Sequence, residues 1–148
     1  MASTQVNEEP FPAPSRQANG EVNGIPTEVS CINFADKIVV TVSQDGRLAQ
    51  WVQVPLSAPS PALVEMALPR AELSLLPSVH LDPKTLVGGG GQDRETVGQL
   101  YAAQIASHLA LRNPDDRRTL LLGLGLRIFD SENREGFFDL IELVLKAL

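Results

Sequence analysis

The chain has 148 residues and a formal net charge of −6, from twelve Lys and Arg against eighteen Asp and Glu. That length suits one ordinary domain and is short for two, and 43% hydrophobic with 20% charged residues is the mix of a chain that can build a core rather than of a wholly disordered one. The acidic balance works against electrostatic capture of nucleic acid or of an anionic bilayer, so neither is expected as a partner.

Residues 1–24 carry Pro10, Pro12, Pro14, Gly20 and Gly24 among scattered polar residues with no apolar period, and are expected to form a disordered tail. The texture changes at Ile25, where Val29, Cys31, Ile32 and Phe34 make a β-rich stretch. In residues 37–44, Ile38, Val40 and Val42 alternate with Val39, Thr41 and Ser43, the two-residue period of a strand. Asp45-Gly46 follows. Both central residues of a type I′ turn need positive φ, which this pair tolerates, so a hairpin is expected with a third strand over residues 47–54, antiparallel to the second. Pro55 ends that strand, because proline cannot donate to a ladder.

Residues 55–77 contain Pro55, Pro59, Pro61, Pro69 and Pro77, spaced too closely for a long helix or a central strand. They also carry Leu63, Val64, Met66, Leu68, Leu73, Leu75 and Leu76, which either fold back as irregular cover or form an arm that holds a partner. A further strand is expected over residues 78–87, at an edge because of Asp82-Pro83, and Gly88 to Gly91 interrupts it. Asp93 then caps a helix in which Val97, Leu100, Tyr101, Ile105, His108 and Leu109 recur at helical spacing, until Asn113-Pro114 stops it.

Residues 119–129 read as a strand with Leu120, Leu122, Leu124, Leu126 and Ile128 on one face and Leu121, Gly123 and Gly125 on the other. Apolar faces on both sides call for cover on both sides, and two glycines on one of them imply a close approach, expected from a helix backbone. Ser131 caps a last helix whose apolar arc runs from Phe137 and Phe138 to Leu148. The expected fold class is therefore α+β: a mainly antiparallel β-sheet with two α-helices packed on one face, in a single domain over residues 25–148. The other sheet face is left for dimerisation, since an exposed apolar face marks an interface.

No catalytic constellation emerges. The four glycines at 88–91 precede a helix, but no Lys-Ser/Thr pair follows, and Asp93 and Glu95 put negative charge where phosphate would sit. His80 and His108 lack companions at metal-ligand spacing, and Asp115-Asp116 beside Arg117-Arg118 reads as a solvated corner. No enzyme activity, cofactor or metal is expected. Trp51 lies on the strand face opposite Leu48, Val52 and Val54, where it either packs in the core or anchors a partner. Cys31 is the single cysteine, so no intramolecular disulfide can form, which suits a reducing cytosol or nucleus. No apolar run approaches the roughly 18–20 residues of a membrane span, and the first residues lack the order of a secretory signal, so a soluble protein of the cytoplasm or nucleus is expected.

Residues 24–34 (GIPTEVSCINF), then 38–44 (IVVTVSQ) and Gly46, resemble the start of the proteasome assembly chaperone 3 family, and residues 118–127 (RTLLLGLGLR) resemble that family's strand of alternating aliphatic and small residues, followed as here by a final helix. The similarity spans about residues 24–54 and 86–148, in a fungal-like form with an extended tail and central loop. It implies a non-catalytic chaperone that pairs with a related fourth-type chaperone or with itself and binds α-type subunits of the 20S proteasome while the α ring assembles. For that role Trp51, Leu63, Met66 and Leu68 are the candidate partner contacts. A dimeric interaction scaffold of the roadblock or longin kind is the alternative.

Overall fold

The computed structural model describes residues 14–56, 81–88, 90–127 and 134–148. Their order is β1 (Ser15–Val22), β2 (Ile25–Asn33), β3 (Lys37–Gln44), β4 (Gln50–Pro55), β5 (Lys84–Val87), α1 (Gln92–Arg112), β6 (Thr119–Gly125) and α2 (Arg134–Ala147). The strands form one sheet in the order β1-β2-β3-β6-β4-β5. The β3–β6 pair is parallel and the others are antiparallel. The α+β architecture expected from the pattern is thus the observed one.

Alternation decides which residues form the core. Val29 and Cys31 of β2, Val40 and Val42 of β3, Leu122 and Leu124 of β6, and Val52 and Val54 of β4 point to one side and are buried there. Helix α1 closes over the β4–β5–β6 half with Val97, Tyr101, Ala102, Ile105 and Ala106, and α2 covers the β1–β2 half with Leu140, Leu143, Val144 and Ala147. Each fully buried Val or Leu contributes about 1.5–3 kcal/mol relative to exposure, so this single layer dominates stability. The helices meet where Tyr101 stacks on Phe137, with ring centroids 4.6 Å apart, and burial pushes the Tyr101 hydroxyl pKa up to about 12.

The structure corrects several expectations. The tail does not extend to residue 24: β1 occupies Ser15–Val22 and pairs with β2 along its whole length. Its turn, Asn23-Gly24, has φ of 56° and 73°, the same left-handed pair as Asp45-Gly46 at 60° and 68°. The 45–46 turn forms, but its flanking strands do not pair beyond a single bridge from Gln44 to Arg47. β6 lies between β3 and β4 instead, because the strand that is apolar on both faces belongs at the centre. Helix α1 starts after Gly91 with no side-chain capping bond, so Asp93 sits inside the first turn, where its charge still favours the helix dipole. The strand predicted over 119–129 ends at Gly125, that over 78–87 is observed as Lys84–Val87, and that over 47–54 as Gln50–Pro55. Ser131 and residues 57–80 lie outside the described residues.

Candidate protein-interaction face

Both helices pack on one face of the sheet, and no described element packs on the other. The residues that alternate with the core point there. Cross-strand register aligns Ile32 of β2, Val39 of β3 and Leu121 of β6 in one row, and Ser30, Thr41, Gly123 and Trp51 in the next. Val87 pairs with Trp51 across the β4–β5 edge. Ile32, Val39, Leu121 and Trp51 are half-buried, and Val87 is exposed. An apolar strip therefore crosses the four strands from β2 to β4, spaced about 4.8 Å apart. It is framed by polar side chains: Gln17, Asn19 and Glu28 on one side, and Lys37, Gln53 and Lys84 on the other. Ser30 and Thr41 join their hydroxyls between the two halves.

Trp51 owes its position to Gly123. The two residues are register partners, and a Cβ at 123 would come within 2.9 Å of Trp51 Cη2. The close approach implied by the glycines of β6 is real, but at Gly123 an indole makes it and at Gly125 the main chain of Arg47, not a helix backbone. The indole stays half-buried on this face, a rigid apolar group of the kind that anchors interfaces. Leu63, Met66 and Leu68, the other candidate contacts, lie outside the described residues.

Among the other candidates for chemistry, the Asp116–Arg118 pair has a structural part. Asp116 and Arg118 do not form a solvated corner: Arg118 Nη2 lies 2.8 Å from Asp116 Oδ2 and Nε lies 2.9 Å from Oδ1, with the aspartate side chain only 6% exposed. Arg118 also donates to Asn33 Oδ1 at 3.2 Å and to the Phe34 carbonyl at 3.3 Å, tying the start of β6 to the end of β2. These hydrogen bonds hold the Asp116 carboxyl below the usual carboxylate range, against the opposing effect of burial. His108 meets Gln104 along its own helix, and His80 is not among the described residues. Among the described residues no three His, Cys, Asp or Glu side chains come together as metal ligands. Burial pushes the Cys31 thiol pKa up, against the pull of Arg118, Arg16 and Arg112. No described helix is long and apolar enough to cross a membrane.

Comparison with known proteins gives the fold a precedent. No family model matches the chain, and no curated protein does. Among solved structures, a chain in the crystal structure of a novel chaperone complex for yeast 20S proteasome assembly is similar, with a TM-score of 0.61 and 14% sequence identity over 90% of this chain and 97% of that chain. The likeness is one of fold. It extends across nearly the whole of both chains.

Proposed function

We propose that this protein is a non-catalytic assembly chaperone of the 20S proteasome. It works as a dimer, with a fourth-type relative or a second copy of itself, and holds α-type subunits while the α ring forms. The observation that carries the reading is the near end-to-end fold likeness to a chain of a chaperone complex for yeast 20S proteasome assembly. The apolar strip through Val39, Leu121 and Trp51 supplies the physical means. A scaffold needs no reacting group, only surfaces whose binding free energy favours one neighbour over another, and about 1.4 kcal/mol shifts such a choice tenfold.

In this reading the open sheet face receives the dimer partner, with Trp51 as its anchor, and Leu63, Met66 and Leu68 contact the client. The protein, in this reading, acts in the cytoplasm or nucleus. Affinity capture from cells followed by mass spectrometry tests it: α-type proteasome subunits and a second small chaperone are the expected catch. A catch of GTPase regulators without proteasome subunits would overturn the reading in favour of a roadblock-like scaffold.

A further inference from the structure

The end of the sheet opposite the 45–46 turn holds a cleft of about 430 Å³, between the first residues of β1, the last turn of α1 and Leu148. Its size lies within the range of about 300–1,000 Å³ found for small-ligand pockets. Three guanidinium groups line it, those of Arg16, Arg112 and Arg118. All three lie close enough to the buried Cys31 thiol for their charges to be felt there. In a chain with eighteen acidic and twelve basic residues, three bases would ordinarily have four or five acids for company. This cleft has one acidic side chain, Asp116, and Arg118 occupies it.

Arg16 and Arg112 are the unusual pair. Both direct Nη1 to the same main-chain oxygen of Leu148, at 3.2 and 3.1 Å, and no acidic side chain among the described residues lies within ion-pair distance of either. One carbonyl oxygen satisfies one donor of each, while a guanidinium carries five donors in a planar fork matched to carboxylate oxygens. The excess of positive charge persists even when a terminal carboxylate at Leu148 is counted. Beside these donors, Leu109 and Leu148 give the cleft an apolar portion, next to the polar Ser15, Asn33 and Asn113. It opens next to β1, the edge strand, whose outer side has no strand partner among the described residues.

From this geometry we infer that the cleft binds an extended acidic segment of a partner polypeptide. A Glu or Asp carboxylate takes guanidinium donors that Arg16 and Arg112 do not give to Leu148, and a neighbouring apolar side chain packs against Leu109 and Leu148. A carboxylate flanked by an apolar residue meets both halves of the lining, and a segment running past the mouth can add to the β1 edge. This site lies apart from the open sheet face and does not depend on how that face is used.

The test is fluorescence anisotropy on the full chain, at about 50 mM salt to limit screening, with a labelled Glu-Leu-Glu-Leu-Glu-Leu peptide as the probe. Saturable binding is expected. The double variant Arg16→Gln/Arg112→Gln should weaken it by about tenfold or more, while Arg117→Gln, which alters an exposed arginine outside the cleft, leaves it unchanged. Equal binding by the double variant, equal binding of a Gln-Leu peptide, or displacement by inorganic phosphate as readily as by unlabelled peptide would each overturn the inference. Amide chemical shifts of the unaltered protein provide a reading independent of any variant's folding. Shifts at Arg16, Cys31 and Leu109 are expected on peptide addition, and shifts confined to other elements count against the site.

Discussion

Outside the apolar layer, Asp116 holds a clasp of its own with Arg118. It accepts from the Arg118 main-chain N–H at 3.0 Å as well as from the guanidinium, and replacing it by Ala leaves a half-buried arginine without its counter-charge. The expected cost at neutral pH is about 1–3 kcal/mol, the range for a lost charged hydrogen bond with an unsatisfied partner left behind. The pH dependence has a definite sign. Because the folded carboxyl titrates below its unfolded value, the clasp contributes in full above the ordinary Asp range near pH 4 and is lost as pH falls through the depressed folded value. Urea titrations of the native protein and Asp116→Asn should differ clearly at pH 7 and draw together as pH falls below the ordinary Asp range; a constant difference would remove the clasp from the acid limb of stability. Gln50 makes the opposite case. It is fully buried, its Nε2 donates to the Arg94 carbonyl at 3.0 Å, and its Oε1 has no partner among the described residues. Gln50→Leu keeps the volume and removes the orphan acceptor, so a gain of about 1 kcal/mol in urea stability is expected at unchanged m-value. A loss would mean that the bond to Arg94 outweighs the orphan.

At the scale of elements, β6 and β4 are locked by one small-to-large pairing, Gly123 beneath Trp51. Gly123 has an ordinary extended backbone, so Gly123→Ala adds a methyl group without left-handed strain, and that methyl must displace the indole. Tryptophan emission should shift to longer wavelength, with a stability loss of about 1–3 kcal/mol from overpacking; an unchanged spectrum would show that the ring does not rest on position 123. The alternation of β6 was legible because Leu120, Leu122 and Leu124 form an unbroken period, and the Asp45-Gly46 turn was legible because its φ demand is local. What neither reveals is pairing. A type I′ turn brings two strands side by side only if no third strand binds the gap better, and β6, apolar on both faces, does so here. β1 escaped for a different reason. Among Ser15–Val22 only Ala18 and Val22 are apolar, and Gly20 occupies a core-facing position where a Cβ would approach Leu143 Cδ1 to 3.1 Å. The Asn23-Gly24 signal was present in the sequence without a recognisable strand on its N-terminal side.

For the whole molecule, the two faces of the sheet have different prospects. The helix face is saturated, whereas the strip from Ile32 through Val39 and Leu121 to Trp51 rests half-buried on a surface that no described element covers. Its alignment is also the part of the site hardest to foresee, since Val39 and Leu121 come from strands far apart in sequence and meet only through the parallel β3–β6 register. A stable interface needs about 800 Å² from each partner, more than these side chains alone provide, so the surrounding polar residues belong to its rim. This arrangement separates folding from association. In the lone molecule, a carboxylate at position 39 or 121 keeps access to water and costs little; in a dimer closed over the strip it is buried without a partner, which costs several kcal/mol. Val39→Asp combined with Leu121→Glu should therefore leave the circular dichroism spectrum native and shift sedimentation from dimer to monomer at micromolar concentration. If the double variant still associates as the native chain does, the partner sits elsewhere, and the helix face or the β1 edge becomes the surface to alter next.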